Sequence, residues 1–107
     1  MPNSYKNAKV DLTTTNVTVL YTTPSATTAL IKSILVSEDT GNADTITVTI
    51  TDASAAVFSL FKTKAVGANA TVELLTEPLV VQENEILKVT AATANRLHVV
   101  ASLLEIN

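Results

Sequence analysis

The stretch that decides the fold is Asp44-Thr45-Ile46-Thr47-Val48-Thr49-Ile50-Thr51-Asp52, in which apolar and polar β-branched residues alternate without interruption. Successive side chains of a strand point to opposite faces, so the alternation predicts a strand with Ile46, Val48 and Ile50 facing a core and the four threonines facing water. Val, Ile and Thr are poor helix formers because their χ1 angles are restricted. The two aspartates mark the ends of the strand.

Similar short segments succeed one another along most of the chain and are separated by turn residues. We count eight or nine strands at intervals of roughly 8–12 residues, the spacing typical of a sandwich or barrel. The first strand is predicted from Ala8 to Leu12, and the next has Val17, Val19 and Tyr21 on one face. The pattern therefore predicts an all-β fold, a two-sheet antiparallel β-sandwich in a single domain.

The N-terminal segment differs from the rest because residues 1–9 are polar and show no period. We predict that residues 1–9 form an extended arm and that residues 10–107 form the sandwich. The arm carries one aromatic residue, Tyr5, between polar neighbours that include Lys6 and Lys9. An aromatic side chain in a free arm suits an anchor that binds a neighbouring protein. Tyr5, Lys6 and Lys9 are thus candidate partner-binding residues, the alternative being simple disorder.

Composition excludes several classes of function. The chain has 107 residues, a net charge of −3 and no cysteine, so disulfides and Cys-ligated zinc are excluded. Its seven basic residues are scattered, which argues against nucleic acid as a partner. Four aromatics and no tryptophan are too few for a stacking platform. The sequence has no apolar segment typical of a signal peptide or membrane span, so we expect synthesis in a cytoplasm and no membrane partner.

Residues that perform chemistry are few. His98 is the single histidine, so no second histidine is available to share a metal or a proton. Ser33, Ser59 and Ser102 lie in apolar strands, but a nucleophilic serine needs a base within hydrogen-bond reach and no Gly-x-Ser-x-Gly motif is present. We predict that the protein is not an enzyme and uses no cofactor.

One acidic turn could hold a cation, namely residues 38–44 with Glu38, Asp39, Asn42 and Asp44. Calcium takes six to eight oxygen ligands and often finds them in such loops. The spacing matches no ordered calcium motif, and carboxylates are common in exposed turns without metal. We predict no metal here, and the sequence leaves the question open.

Three aromatics in predicted strands, Tyr21, Phe58 and Phe61, could form a binding patch. Aromatic residues in strands usually belong to the core, and a small sandwich with four aromatics needs them there. We predict that these three side chains are buried.

The order of the segments resembles that of small β-sandwich proteins of tailed bacteriophage particles. The resemblance covers the chain from about Leu12 to Ile106 and rests on framework segments. These are Val-Leu-Tyr-Thr-Thr-Pro (19–24), Thr-Thr-Ala-Leu-Ile-Lys-Ser-Ile-Leu-Val-Ser (27–37), Thr-Ile-Thr-Val-Thr-Ile-Thr-Asp (45–52), Thr-Val-Glu-Leu-Leu (71–75), Pro-Leu-Val-Val (78–81), Leu-Lys-Val-Thr-Ala (87–91) and Val-Val-Ala-Ser-Leu-Leu-Glu-Ile (99–106). Two turns depart from the usual pattern, at Ser25-Ala26 and at Asn84-Glu85, and Ala26 is ill suited to a left-handed turn.

The resemblance implies a jelly-roll sandwich that serves as a structural component on the outside of a virion. Proteins of this kind decorate or cement the capsid, often as homotrimers bound to the major capsid protein. Others belong to the neck, the tail or a fibre, and the resemblance does not separate these locations. A carbohydrate-binding sandwich is the alternative from a different class, although the absence of tryptophan counts against it.

Overall fold

The computed structural model describes residues 3–107 as nine strands. They are β1 (Asn3–Leu12), β2 (Thr18–Thr22), β3 (Thr28–Glu38), β4 (Asp44–Thr51), β5 (Val57–Val66), β6 (Thr71–Glu73), β7 (Leu79–Val81), β8 (Ile86–Ala91) and β9 (Leu97–Ile106). These residues include no helix, and so none that could cross a membrane.

The strands form two antiparallel sheets. The first sheet has the order β1-β9-β3-β6, with β7 also paired to β3, and the second has the order β2-β8-β4-β5. β6 pairs with residues 35–37 of β3 and β7 pairs with residues 29–31, so these two short strands share one position in the sheet. Each sheet then has four strand positions, and their order is that of a jelly roll. The prediction of a two-sheet β-sandwich is confirmed.

The core lies between the sheets and agrees with the predicted alternation. Ile46 and Val48 of β4 are fully buried, and Ile50 packs against the core at its edge. In β8 and β9 alternate residues are buried in the same way, because each side chain on the inner face meets the opposite sheet. The prediction that every threonine of β4 faces water is wrong for Thr51, which is only 7% exposed and lies between Ile86 and Val57 of the neighbouring strands.

The first strand is longer than predicted. β1 begins at Asn3 rather than at Ala8, and it pairs with β9 without a register shift from Asn3 opposite Ile106 to Leu12 opposite Leu97. Residues 3–9 of the predicted arm are therefore paired with the sandwich, whereas Met1 and Pro2 lie outside the described residues. Residues 3–7 show no apolar period because backbone pairing with β9 holds them, whereas Ala8, Val10 and Leu12 further along β1 face the core.

A bulge changes the facing of β2. The register with β8 shifts between Val19 and Tyr21, and Leu20 becomes the buried residue of the strand. Val17 and Val19 are exposed, whereas Tyr21 is half-buried. The predicted shared face of these three residues is interrupted, because a bulge inserts one residue and reverses the facing of the residues after it.

The two unusual turns adopt left-handed backbone conformations. Asn84 has φ 64°, as expected for an asparagine where glycine is common, and Ala26 has φ 58° despite its Cβ. The backbone N–H of Ala26 donates to the carboxylate of Glu83, which helps to hold this strained residue in place. The turn thus takes the left-handed conformation to which Ala26 is ill suited.

Candidate interaction surface

The outer face of the first sheet is the side of β1, β9, β3, β6 and β7 that points away from the core. Strand register places four apolar side chains in one row across this face, each directly opposite the next. From one sheet edge to the other they are Tyr5, Leu104, Leu30 and Val80. The row is flanked by a further exposed residue, Ile106, and the two residues at its ends are 77% and 52% exposed. We call these four residues the apolar row.

A second row on the same face mixes charge and apolar surface. Lys9, Val100, Leu35 and Glu73 lie opposite one another across β1, β9, β3 and β6. Val100 and Leu35 are partly exposed. By contrast, the outer face of β4 in the second sheet presents threonines, which water solvates well. Five of the exposed large hydrophobic residues lie in strands of the first sheet, namely Tyr5, Leu35, Val80, Val100 and Ile106, and three lie in strands of the second, namely Val19, Val57 and Phe58. The first sheet therefore exposes more apolar side chains than the second, a property typical of interaction surfaces.

Tyr5 is the most exposed aromatic side chain on the outer face of the first sheet. The Lys32 ammonium lies 5.6 Å from the centre of its ring, within range of a cation–π interaction. Lys32 stands at the register shift of β3, where the bulge turns its side chain outward. Tyr5 and Lys32 border a surface depression of ≈ 490 Å³ together with Asn7 and Ser102.

The second predicted partner-binding residue, Lys6, points the other way. It lies on the core-facing side of β1, opposite the buried Leu103, and its ammonium lies 3.0 Å from Glu105 Oε1. The carboxylate of Glu105 is nearly buried and also accepts a hydrogen bond from Tyr21. Tyr5 and Lys9 thus share the outer face, and Lys6 is separated from them by the alternation of the strand.

The third predicted residue, Lys9, borders a smaller depression of ≈ 250 Å³ lined also by Asp11, His98 and Val100. Within residues 3–107 no ion pair is formed by Lys9, so its charge is available to a partner. Whether Tyr5, Lys6 and Lys9 bind a partner stays a prediction.

His98 lies between two carboxylates. Its Nε2 is 3.3 Å from Asp11 Oδ1 and its Nδ1 is 3.7 Å from Asp39 Oδ2. Both ring nitrogens therefore face acidic groups, and neither is directed at a serine. The side chain is 44% exposed and lies at the start of β9, so it lacks the buried, oriented geometry of a general base.

The acidic turn is organised around Glu38. This side chain is 2% exposed, and its carboxylate accepts hydrogen bonds from the backbone N–H groups of Thr40, Gly41, Asn42 and Asn69 and from the Thr40 hydroxyl. Burial raises the pKa of Glu38, but the hydrogen bonds outweigh it and lower the pKa to about 2. The carboxylate is thus already used to join the β3–β4 and β5–β6 loops.

The other predicted cation ligands of this turn do not converge with Glu38. Asp44 Oδ2 accepts a hydrogen bond from the Thr93 N–H at 3.0 Å, and Asp39 faces His98. In the part of the chain that the structure describes, no three His, Cys, Asp or Glu side chains are grouped as metal ligands.

The carboxylate of Glu73, like that of Glu38, accepts several hydrogen bonds, here at the gap between β6 and β7. Its carboxylate accepts hydrogen bonds from the Ile34 N–H at 2.8 Å, from the Leu75 N–H at 3.2 Å and from the Ser33 hydroxyl. Burial raises the pKa of Glu73, and these hydrogen bonds lower it below its usual range. Ser33, one of the three candidate serines, is therefore a partner of a carboxylate and not of His98.

The aromatic residues of the second sheet are not all buried. Phe58 is 54% exposed, and Phe61 and Tyr21 are half-buried, so the prediction of three core aromatics is wrong for Phe58. Register places Phe58 opposite Ile50, but β5 is the edge strand and the first sheet does not cover it. Phe61 instead borders an apolar groove of ≈ 320 Å³ at the open edge of the sandwich, together with Leu60, Leu75 and Leu79.

The fold and this surface define a jelly-roll sandwich whose first sheet carries a row of exposed apolar side chains on its outer face. No protein-family model matches the chain, and no curated protein matches it. Among solved structures, it is similar to a chain of the acidic stable capsid structure of Helicobacter pylori bacteriophage KHP30, with a TM-score of 0.58 and 14% sequence identity. The similarity covers 98% of this chain and 93% of that chain, so the two share one fold over nearly their whole lengths.

Proposed function

We propose that this protein is a non-enzymatic structural component of a bacteriophage particle, and specifically a decoration protein that binds the outside of the capsid and stabilises it. The observation that carries the proposal is the jelly-roll fold, which this chain shares over 98% of its length with a chain of a bacteriophage capsid structure. The framework segments that resemble phage sandwich proteins point in the same direction. In this role the protein is a homotrimer, and its partner is the major capsid protein.

The surface that fits this role is the outer face of the first sheet. A decoration protein adds apolar contact across joints of the shell, and a stable interface buries roughly 1,200–2,000 Å² of total surface. The apolar row offers that contact, and Tyr5 is of the residue type that dominates binding energy at interfaces. Lys32 borders the apolar row and Lys9 lies in the second row of the same face, and both charges favour acidic groups on the shell.

Imaging of intact particles with a gold-labelled antibody tests the location. Label over the whole head supports a decoration protein, because such a protein is present in many copies. Label at a single vertex replaces the decoration role with the neck, tail or fibre role. An unlabelled particle overturns the proposal of a virion component.

Paired variants test the surface. Tyr5→Ser together with Val80→Ser removes the two exposed ends of the apolar row, and Val19→Ser together with Val57→Ser removes valines of comparable exposure from the second sheet. We expect the first pair to reduce the amount bound to undecorated heads, while the second pair binds as the unmodified protein does. Equal binding by both pairs would assign attachment to another surface. Deletion of residues 1–9 is a poorer test, because it removes most of β1 and with it the pairing of β1 with β9.

A further inference from the structure

The free edge of the first sheet is formed by β1. Among residues 3–107, β1 pairs with β9 alone, and its further backbone hydrogen bonds involve only the carbonyls of Asp11 and Leu12. The edge along residues 3–10 therefore has unpaired backbone groups. An edge of this kind is a template for another strand unless it is blunted.

The other sheet edges are short or irregular. β2 has five residues and a register shift, and β6 and β7 have three residues each. β5 has ten residues, but its pairing with β4 shifts at two places. Shifts and short strands are two of the usual means of preventing edge pairing. An inward-pointing lysine is another, but the ammonium of Lys6 in β1 is paired with Glu105 at 3.0 Å. β1 is thus the one edge strand of the described chain that is both long and regular, with ten residues and no shift.

We propose that β1 pairs antiparallel with β1 of a second copy, across a two-fold axis that passes through Asn7. Opposite residues of a continuous sheet share a face, so odd-numbered residues must meet odd-numbered residues. The two longest registers that satisfy this rule place Asn7 or Ala8 at the axis. If the pairing is shifted by two more residues in either direction, Lys6 lies opposite Lys6 or Lys9 lies opposite Lys9. Like charges directly opposite each other are unfavourable. The lysines therefore limit the register on both sides.

The register centred on Asn7 places no like charges opposite one another. It places Tyr5 opposite Lys9 of the second copy and Asn3 opposite its Asp11, and both pairs occur twice because the contact is isologous. The register centred on Ala8 places the electron-rich ring of Tyr5 opposite Asp11 instead, which is the less favourable pair. Lys6 meets Ala8 and keeps its contact with Glu105.

This contact goes beyond the proposed function and also fits it. A two-fold axis perpendicular to the sheet leaves both outer faces on one side, so two apolar rows can meet one shell. If the protein forms a trimer through another surface, pairing between β1 strands would link that trimer to neighbouring trimers. The dimer contact itself requires no particle, so the purified protein alone is sufficient to test it.

Cysteine cross-linking is a clean test because the chain contains no cysteine. In the Asn7→Cys protein, the two cysteines face each other across the axis. Their Cα atoms lie about 4.5–5.5 Å apart, a distance that permits a disulfide. Ser102→Cys is the matched control, because Ser102 lies opposite Asn7 in β9 and is also exposed. In the paired sheet it is three strand spacings, about 14 Å, from its mate, which is too far.

We expect mild oxidation to double the mass of the Asn7→Cys chain and to leave the Ser102→Cys chain uncross-linked at the same concentration. Sedimentation of the unmodified protein should show a dimer, or a multiple of one, and Asn7→Lys should dissociate it while Ser102→Lys should not. A monomer or an isolated trimer in sedimentation, or cross-linking that is no faster at residue 7 than at residue 102, overturns the proposal. Because no capsid is present, this result is independent of the location measured by imaging.

Discussion

The Tyr21 hydroxyl donates a 2.6 Å hydrogen bond to Glu105 Oε2 and thereby connects the two sheets, since Tyr21 lies in β2 and Glu105 in β9. The Lys6 ammonium contacts the other carboxylate oxygen at 3.0 Å. The hydrogen bond from Tyr21 lowers the pKa of Glu105, and contact with Lys6 acts in the same direction. Burial and the neighbouring carboxylate raise the pKa of Tyr21.

Tyr21→Phe should destabilise the sandwich. The substitution keeps the ring but leaves a nearly buried carboxylate oxygen without its donor, at a cost of about 1–2 kcal/mol. Urea unfolding followed by far-ultraviolet circular dichroism measures this cost. Lys6→Met is the comparison, and it should cost about 1 kcal/mol or less, because the lysine is 54% exposed and water can replace part of its contact with Glu105. A larger loss for Lys6→Met than for Tyr21→Phe would contradict this ranking.

Acid should weaken the fold through Glu38. The pKa of its carboxyl is 4.5 in an ordinary environment and about 2 in the folded protein, so the unfolded chain binds a proton first as pH falls. The stabilisation is fully present above pH 4.5 and is lost as pH decreases towards 2. The pKa values of Glu73 and Glu105 are also lowered, so both add to the same trend. Urea unfolding across this range should show a falling midpoint.

Glu38→Gln separates the contribution of Glu38 from that of the other carboxylates. The amide keeps one acceptor oxygen but cannot accept all five hydrogen bonds, so the variant should be less stable than the unmodified protein at pH 7. Its stability should also depend less steeply on pH below 4.5, because one shifted group is removed. Parallel pH profiles for the two proteins would show that Glu38 titrates as an ordinary carboxyl.

Strands with a buried inner face could be predicted from sequence, whereas contacts between distant residues could not. In β4 and β9 the alternation of residue types along the strand indicates which side chains are buried, because each strand has the opposite sheet on one side. Residues 3–7 of β1 show no such alternation, since their inner face includes Lys6. Tyr21 and Glu105 are 84 positions apart, and nothing in the local sequence of either residue indicates the other.

Only part of the candidate surface could be predicted from the sequence, because the surface also depends on the pairing of distant strands. Tyr5 and Lys9 were chosen as members of a free arm, and their common face is a consequence of the pairing of β1 with β9. Leu104, Leu30 and Val80 looked like ordinary strand residues, because the register that aligns them joins three separate strands. Exposed Phe58 was missed because membership of an edge strand is a property of the whole sheet.

Val48→Asp tests the facing of β4. Val48 is 0% exposed, and a carboxylate there has no partner, so we expect a loss of several kcal/mol or complete unfolding. Thr49→Asp places the same side chain on the next residue, which lies on the outer face opposite Lys88, and should change stability by about 0.5 kcal/mol or less. Thermal unfolding of the two variants gives the comparison. Similar melting temperatures would mean that the facing of this strand is wrong.

Ala26→Gly should leave the protein as stable as before or slightly more stable. Ala26 has φ 58°, and a left-handed conformation costs a residue with a Cβ roughly 1–2 kcal/mol. Glycine removes that cost, but the greater entropy of the unfolded chain offsets about 0.4–1 kcal/mol of it, so a gain of about 0–1.6 kcal/mol remains. Ala56→Gly is the control, because Ala56 is exposed and is not among the residues with positive φ, and it should lose about 0.4–1 kcal/mol. Equal losses in the two variants, measured by urea unfolding, would show that the turn at Ala26 is not strained.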